Sequence, residues 1–379
     1  GATIAYVRAD PANVAATEEL WYVRTQPLGQ PVRVALPSGA SLFRSGGPQF
    51  ALSPDGRWLV VVAGSGNAQT LHVLDASAGA TNLTPVGVAD APVVRRLQFS
   101  ADSRFVYFFG AASASASERG ALWRMPLDRS SAAVRLSAPA TATSGVVVYR
   151  VLNSGSVIAG RENAGGANRF VVIDPAQPGQ ERVVSHAPAA GAQVDTTALT
   201  LSPDESRFTY TEFLGGVPAT YLAPVAGPAP TAPLIARSGS TCNVPAAIAP
   251  DNATLLAVRT PSCGGAAATV RLFEVPLTGP YVETGVVEAP APATLEPFFG
   301  YDGTRDRVVL ERSIELNGEL GNQAHVVPRA SFGGTATTKL GAADRITPFR
   351  SYAAVNRGVV VFGERPGGQN VPFAPMLAN

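Results

Sequence analysis

A short turn recurs along the chain, and its spacing constrains the fold more than any other feature. "ALSPDGRWLVVVAG" places Asp55 between two apolar runs, and the pattern returns as "LQFSADSRFVYFFG", "LTLSPDESRFTYTEF", "AAIAPDNATLLAVRT" and "FFGYDGTRDRVVLER". The turn carboxylates are Asp55, Asp102, Asp204, Asp251 and Asp302, and degenerate copies put Asn153 and Asn356 in the same place. Successive anchors lie 47 to 54 residues apart. A fixed period in that range marks a chain built by repeating one supersecondary unit, as in a propeller or solenoid. Pro presets φ, Asp accepts hydrogen bonds from the amides ahead of it, and Gly tolerates a positive φ. The turn aspartates are therefore expected to be structural, not catalytic.

Each unit continues alike. After the hairpin comes a third apolar run, such as "TLHVLDAS", "GALWRMPLD", "NRFVVIDPA" or "TVRLFEVPL". A more polar fourth run follows, as in "TNLTPV" or "ERVVSHA". Four antiparallel strands of decreasing apolarity describe a blade running from inner to outer edge. The expected fold is all-β: a single β-propeller domain over residues 1–379 with four-stranded antiparallel blades. Inner strands begin near residues 48, 95, 146, 197, 244, 295 and 348, and an incomplete N-terminal blade covers 1–40. Eight blades are expected, with seven as the alternative. Closure by strands from both termini would leave no exposed sheet edge.

The Ser-Pro-Asp-Gly hairpins followed by "LHVLDASAG"-type strands resemble the TolB-like, WD40-like (PD40) propeller repeat over nearly the whole chain. That resemblance implies the propeller fold and, by analogy with envelope relatives, an extracytoplasmic setting. Prolyl oligopeptidases carry similar propellers joined to a hydrolase domain. The sequence contains no G-x-S-x-G elbow, and its repeats leave no room for such a domain, so that enzyme class is not expected.

Composition narrows the function. With 29 basic and 28 acidic residues, and Lys339 the only lysine, there is no basic stripe for nucleic acid. No run of eighteen apolar residues exists to span a membrane, and neither a basic n-region nor an apolar h-region opens the sequence. The two cysteines, Cys242 and Cys263, flank one hairpin symmetrically about its turn at 250–253. Residues equidistant from a hairpin turn face each other at about 4.5–5.5 Å between Cβ atoms, near what a disulfide needs. A Cys242–Cys263 bridge is expected, and with it a periplasmic, cell-surface or secreted location.

Six residues before each turn anchor, at the entrance of the inner strands, stand Gln49, Arg96, Val147, Ala198, Pro245, Glu296 and Arg350. The polar members, Gln49, Arg96, Glu296 and Arg350, are the candidate binding residues at the channel mouth, suited to a ligand carboxylate or a partner's terminus. The competing structural reading makes Glu296 and Arg350 a solvated ion pair. Among the loops joining second to third strands, 311–323 has the best mix of residues for a partner contact.

His72, His186 and His325 share no metal-ligand spacing, and "YDGTRDR" lacks the alternating ligands of a calcium loop, so no metal and no cofactor are expected. The function expected is a non-catalytic module or scaffold that binds a protein or peptide partner at the cell envelope. The alternative is a propeller enzyme of polysaccharide lyase or hydrolase type working at the channel mouth.

Overall fold

The computed structural model describes residues 3–8, 19–25, 28–37, 43–44, 47–48, 50–63, 70–87, 93–111, 119–141, 143–163, 168–239, 241–260, 269–290, 295–301, 307–316, 319–333, 338–339, 349–355 and 358–363. The described chain is all β-strand, with no α-helix and two single-turn 3₁₀ segments. It divides into two compact units, residues 1–185 and 186–379.

In the first unit, β1 (Thr3–Arg8), β2 (Glu19–Arg24) and β3 (Val32–Val34) form a three-stranded sheet. A small ladder, β4 (Phe43–Arg44) with β5 (Gly47–Pro48), precedes three four-stranded sheets. These are β6 (Phe50–Leu52), β7 (Trp58–Ala63), β8 (Thr70–Asp75) and β9 (Thr84–Val86); then β10 (Val93–Phe99), β11 (Phe105–Ala111), β12 (Ala121–Pro126) and β13 (Val134–Arg135); then β14 (Gly145–Val151), β15 (Val157–Glu162), β16 (Arg169–Ile173) and β17 (Glu181–Val183). Every pairing is antiparallel and sequential, and the first strands β6, β10 and β14 lie side by side.

The second unit repeats the plan. A sheet of β18 (Ala192–Leu201), β19 (Arg207–Leu214) and β20 (Val217–Pro224) has a single bridge, Thr220 to Ile235, where a fourth strand is expected. Four-stranded sheets follow: β21 (Cys242–Ile248), β22 (Thr254–Thr260), β23 (Thr269–Pro276) and β24 (Thr284–Pro290), then β25 (Leu295–Tyr301), β26 (Arg307–Leu316), β27 (Glu319–Pro328) and β28 (Thr338–Lys339). The last described pair is β29 (Phe349–Val355) with β30 (Gly358–Gly363).

Packing explains why the second and third strands read as continuous apolar runs. Side chains alternate faces along a strand, yet both faces here are covered. On β7, Leu59, Val61 and Ala63 pack with Leu20, Tyr22 and Val34 of the preceding sheet. Val60 and Val62, pointing the other way, pack with Val106, Phe108, Trp123 and Met125 of the following one. Between the next two sheets Tyr107, Phe109 and Leu122 meet Tyr149, Val157, Val171 and Ile173. In the second unit Leu256, Leu272 and Val286 meet Val308 and Val327 in the same way. Each fully buried Val, Leu or Phe contributes roughly 1.5–3 kcal/mol.

The turn motif has a uniform internal structure. Ser53, Ser100 and Ser202 donate through Oγ to Asp55, Asp102 and Asp204 at 2.5, 2.6 and 2.7 Å. The same Oγ atoms accept the amides of Trp58, Phe105 and Arg207. Each Asp Oδ1 accepts the amide two residues on, and Asp251 does so from Ala253 at 3.0 Å. The residue after the Asp is left-handed in all four turns: Gly56, Ser103, Glu205 and Asn252. In the degenerate turn the aligned Asn153 is displaced by one place. Ser154 accepts the Ser156 amide at 3.3 Å and Gly155 takes the positive φ, so Ser154 fills the carboxylate's role in a turn one residue shorter. Asp302 lies outside the described residues.

Two expectations are corrected. Segment 311–323 is not an open loop, because β26 and β27 stay paired from Arg307 with Pro328 out to Leu316 with Glu319. The signal was the Asn317–Gly318 dipeptide between alternating runs, the commonest two-residue hairpin turn; both residues lie outside the described set. In the hairpin of the cysteines, the register shifts between Pro245 and Ala247, and Cys242 pairs with Thr260 in the ladder. Symmetry about the turn therefore does not hold at its open end. Cys242 is disulfide-bonded, and Cys263 lies outside the described residues.

Candidate functional site

The candidate binding positions stand at the entrance ends of the first strands, and there the ladders share a defect. The register of β10 with β11 breaks between Arg95 and Gln98, and that of β14 with β15 between Val146 and Val148. The breaks in β18, β21, β25 and β29 fall between Asp195 and Thr200, Pro245 and Ala247, Glu296 and Gly300, and Phe349 and Ser351. Six repeats thus bulge at or beside the position six residues before the turn. A β-bulge leaves its extra residue out of the ladder and re-aims the side chains around it, and bulges cluster next to binding and active sites.

Arg96 is the best-defined example. Its φ of 55° is left-handed, uncommon for a residue with a Cβ. Its side chain is exposed, and its guanidinium sits 5.4 Å from the Phe109 ring centroid and donates to the Val147 carbonyl on the neighbouring first strand. The Tyr149 hydroxyl closes the arrangement from below, within bonding distance of the Arg96 carbonyl and 2.9 Å from that of Tyr107. Burial pushes the Tyr149 phenol far above its usual range, so it stays a neutral donor. Gln98 locks the two strands together: Nε2 donates to the Tyr149 carbonyl at 2.9 Å and Oε1 accepts the Val151 amide at 3.0 Å.

Arg150, next to Tyr149 on β14, was not singled out by its sequence position. It donates to the Tyr149 carbonyl at 3.0 Å and keeps contact with solvent. Its pKa is lowered first by desolvation. The Tyr149 phenol opposes that shift, and the positive charge of Arg96 adds to it. The group is therefore wet but closely walled, with a like charge beside it.

The other candidates are less fully placed. Glu296 stands in β25 opposite Glu311, and Arg350 falls at the bulge of β29, both placed by their backbones. Gln49 lies outside the described residues. Val147 is buried, Ala198 exposed and Pro245 half-buried.

A second polar cluster, also unmarked in the sequence, occupies the sheet of β18 to β20. His186 Nδ1 lies 2.7 Å from the Tyr210 hydroxyl and Nε2 lies 2.7 Å from Glu212 Oε2, while Arg237 pairs with Oε1 of the same carboxylate. The His186 and Tyr221 rings stack at 4.0 Å. One tautomer satisfies these groups: Tyr210 donates to Nδ1, accepts the His186 amide, and Nε2–H donates to Glu212. The ring's bonding capacity is thus used within the cluster.

Glu212–Arg237 also belongs to a series. At the corresponding place of two other sheets, one in each unit, stand Arg161–Glu181 (2.7 Å) and Arg259–Glu283, with the signs reversed. The series reads as an internal strut between the second strand and the outer edge. Among the described residues no group of three or more His, Cys, Asp or Glu is placed to hold a metal.

With sheets of this order, antiparallel in every ladder and packed face to face within each unit, the chain is a β-propeller. Comparison with solved structures agrees. The chain is similar to a prolyl endopeptidase from a study of inter-domain dynamics in catalysis and specificity, with a TM-score of 0.53 and 12% identity over 96% of this chain. It covers 53% of that protein, about half its length. It is similar to the Dos1 propeller, with a TM-score of 0.51 and 12% identity over 90% of this chain and 83% of that one. At such identity the likeness speaks for the fold alone. No protein-family model matches the chain, and no curated protein matches it.

Proposed function

We propose that this propeller is a non-catalytic module that binds a protein or peptide partner at the ends of its first strands. The carrying observation is the bulge repeated in six first strands, which at Arg96 turns an exposed guanidinium out of the ladder. Rigid scaffolds of this kind hold recognition groups at strand ends and loops. The His186 cluster gives an enzyme reading little to draw on, because its acid, base and phenols bond to one another.

The proposed setting is extracytoplasmic, with Cys242 bonded to Cys263 and eight TolB-like blades. A disulfide suits an oxidising compartment. Peptide mapping without reductant checks the pairing: a Cys242–Cys263 cross-linked peptide is expected, and free thiols at both positions would remove this support.

The functional test is cross-linking capture from the cell envelope with wild type and a Q49A/R96A/E296A/R350A variant. A partner held by wild type and lost by the folded variant is expected. A partner retained by both would move the binding surface away from the first-strand ends.

A further inference from the structure

We propose that the cavity between the β6–β7 turn and the β10–β11 turn is a binding site for one neutral sugar residue. It lies at the turn ends of the first strands, away from the entrance ends that carry Arg96. The site therefore goes beyond the partner-binding reading and does not rest on it.

The sequence explains why space opens there. In β8 the residue opposite Trp58 is Asp75, and Arg57 closes on it through Nε and Nη2 at 3.1 and 3.0 Å. In β12 the place opposite Phe105 is taken by Pro126, and the carboxylate comes two residues later, as Asp128. Arg104 is the counterpart of Arg57, yet among the described residues its guanidinium has no ion pair and no hydrogen bond. Its one close contact is the Phe105 ring, 5.9 Å away at the centroid. The strut that closes one blade is missing from the next, and a cavity of about 400 Å³ stands in its place. That volume falls within the range of small-molecule sites, about 300–1,000 Å³.

The lining combines apolar surface with both kinds of hydrogen-bonding group. Trp58, Phe105 and Pro126 are half-buried against it. Asp55, Asp102 and Asp128 bring acceptors, and Arg104 brings donors. The bonds that fold the turns fall on Oδ1 of Asp55 and Asp102, which leaves Oδ2 of each as an acceptor. The frame is set before any ligand arrives: Ser103 is only 5% exposed, and its Oγ accepts the Asp55 amide at 3.0 Å, tying one turn to the next. An anion would meet three carboxylates, and a cation would meet the Arg104 guanidinium. A sugar ring is uncharged, its hydroxyls both donate and accept, and its C–H faces suit an apolar wall. Bonds from its hydroxyls to ionised partners are the stronger, charge-assisted kind.

The test follows the Trp58 indole N–H resonance by NMR. The chain has three tryptophans, so the signal is assigned by its absence from W58F. Methyl glucosides, galactosides and mannosides of both anomeric forms are titrated into the intact protein, with sodium acetate and methylammonium chloride as charged probes. At least one glycoside is expected to give a saturable shift that neither ion gives. R104A removes an exposed side chain that holds no bond in the fold, and circular dichroism checks that the fold is kept. It is expected to weaken glycoside binding about 10-fold or more, the loss of a charge-assisted hydrogen bond. R135Q, at an exposed arginine of β13 outside the cavity, is expected to bind as wild type does.

The proposal is overturned if no glycoside moves the resonance, if an ion saturates the site in their place, or if R104A binds as tightly as wild type. Gln49, Arg96, Glu296 and Arg350 do not line the cavity. The folded Q49A/R96A/E296A/R350A variant is therefore expected to keep glycoside binding whatever becomes of its partner. Loss of glycoside binding in that variant would move the sugar site to the first-strand entrances and overturn the assignment.

Discussion

At the scale of single residues, the turn motif divides its work between two side chains. In the second repeat Ser100 Oγ donates to Asp102 and accepts the Phe105 amide at 3.0 Å, so the serine is the hub and the aspartate its partner. The Ser100 hydrogen bond is the main reason the Asp102 carboxyl lies below its ordinary pKa. Asp102→Ala is expected to cost about 1 kcal/mol, the net value of a lost hydrogen bond at an exposed turn, read as a lower urea midpoint with an unchanged slope. Ser100→Ala removes the buried hub and is expected to cost more; equal costs for the two variants would refute the hub assignment. The following position gives the opposite sign. Glu205 has a φ of 58° where the first repeat uses Gly56. A left-handed L-residue carries about 1–2 kcal/mol of strain, partly offset by the extra freedom of glycine when unfolded. Glu205→Gly is therefore expected to stabilise the fold by a net of about 0.5 kcal/mol, read as a higher urea midpoint.

At the scale of elements, the charged struts show which features a blade fixes and which it leaves free. The same rung carries Arg161 against Glu181, Glu212 against Arg237, and Arg259 against Glu283, so the architecture accepts either polarity. Arg161 and Glu181 are each only 8% exposed, and Glu181 also accepts the Ala138 amide at 3.0 Å. Removing one partner of a buried pair leaves an uncompensated charge at about 3–5 kcal/mol. Arg161→Glu alone sets a second carboxylate against Glu181 and is expected to destabilise by at least about 3–5 kcal/mol. The R161E/E181R double variant is expected to recover more than half, falling short because an arginine cannot accept from Ala138. No recovery in the double-mutant cycle would show that the rung is not interchangeable. These struts also mark how far the sequence could be read. Strand order, blade pattern and turn aspartates followed from local periodicity and turn chemistry. The bulges depend on how whole strands take register against each other, and the Arg161–Glu181 pairing and the company of His186 on which residues meet across 20 or more positions. The ladder next to the turn, Ile248 with Leu255, already sets Cys242 against residue 261 and not against Cys263, and the extra residue in β21 moves it one place further, onto Thr260.

At the scale of the whole molecule, the shifted ionisable groups bound a pH window. Asp102 and Asp204 are lowered chiefly by their serine hydrogen bonds. Burial alone would raise Asp75 and Glu283, but bonds from Ser77 and Arg57 to the first, and from Arg259 and Tyr281 to the second, outweigh it. A carboxyl depressed in the folded state contributes stability that is complete above its unfolded value, about 4, and is lost as pH falls through the folded one. His72 acts in the same direction but earlier. Burial lowers its pKa, so the unfolded chain takes up the proton first, and stability declines as pH drops below about 6.5. The alkaline limit is set by phenols. Burial raises Tyr22, Tyr107, Tyr149, Tyr210 and Tyr221, and pushes Tyr281 up to about 12. The unfolded chain loses those protons first, from about pH 10, so stability falls as pH rises past that point. A plateau between about pH 6.5 and 10 is expected, with a shallow slope towards pH 5 and a steep fall below 4. Urea midpoints measured from pH 3 to 11 would show it, and His72→Gln should remove the part of the shallow slope that His72 supplies while leaving the steep one. A midpoint that rises on acidification from pH 7 to 5 would contradict the assignment, because it requires a group whose folded pKa is raised, the reverse of what burial does to His72.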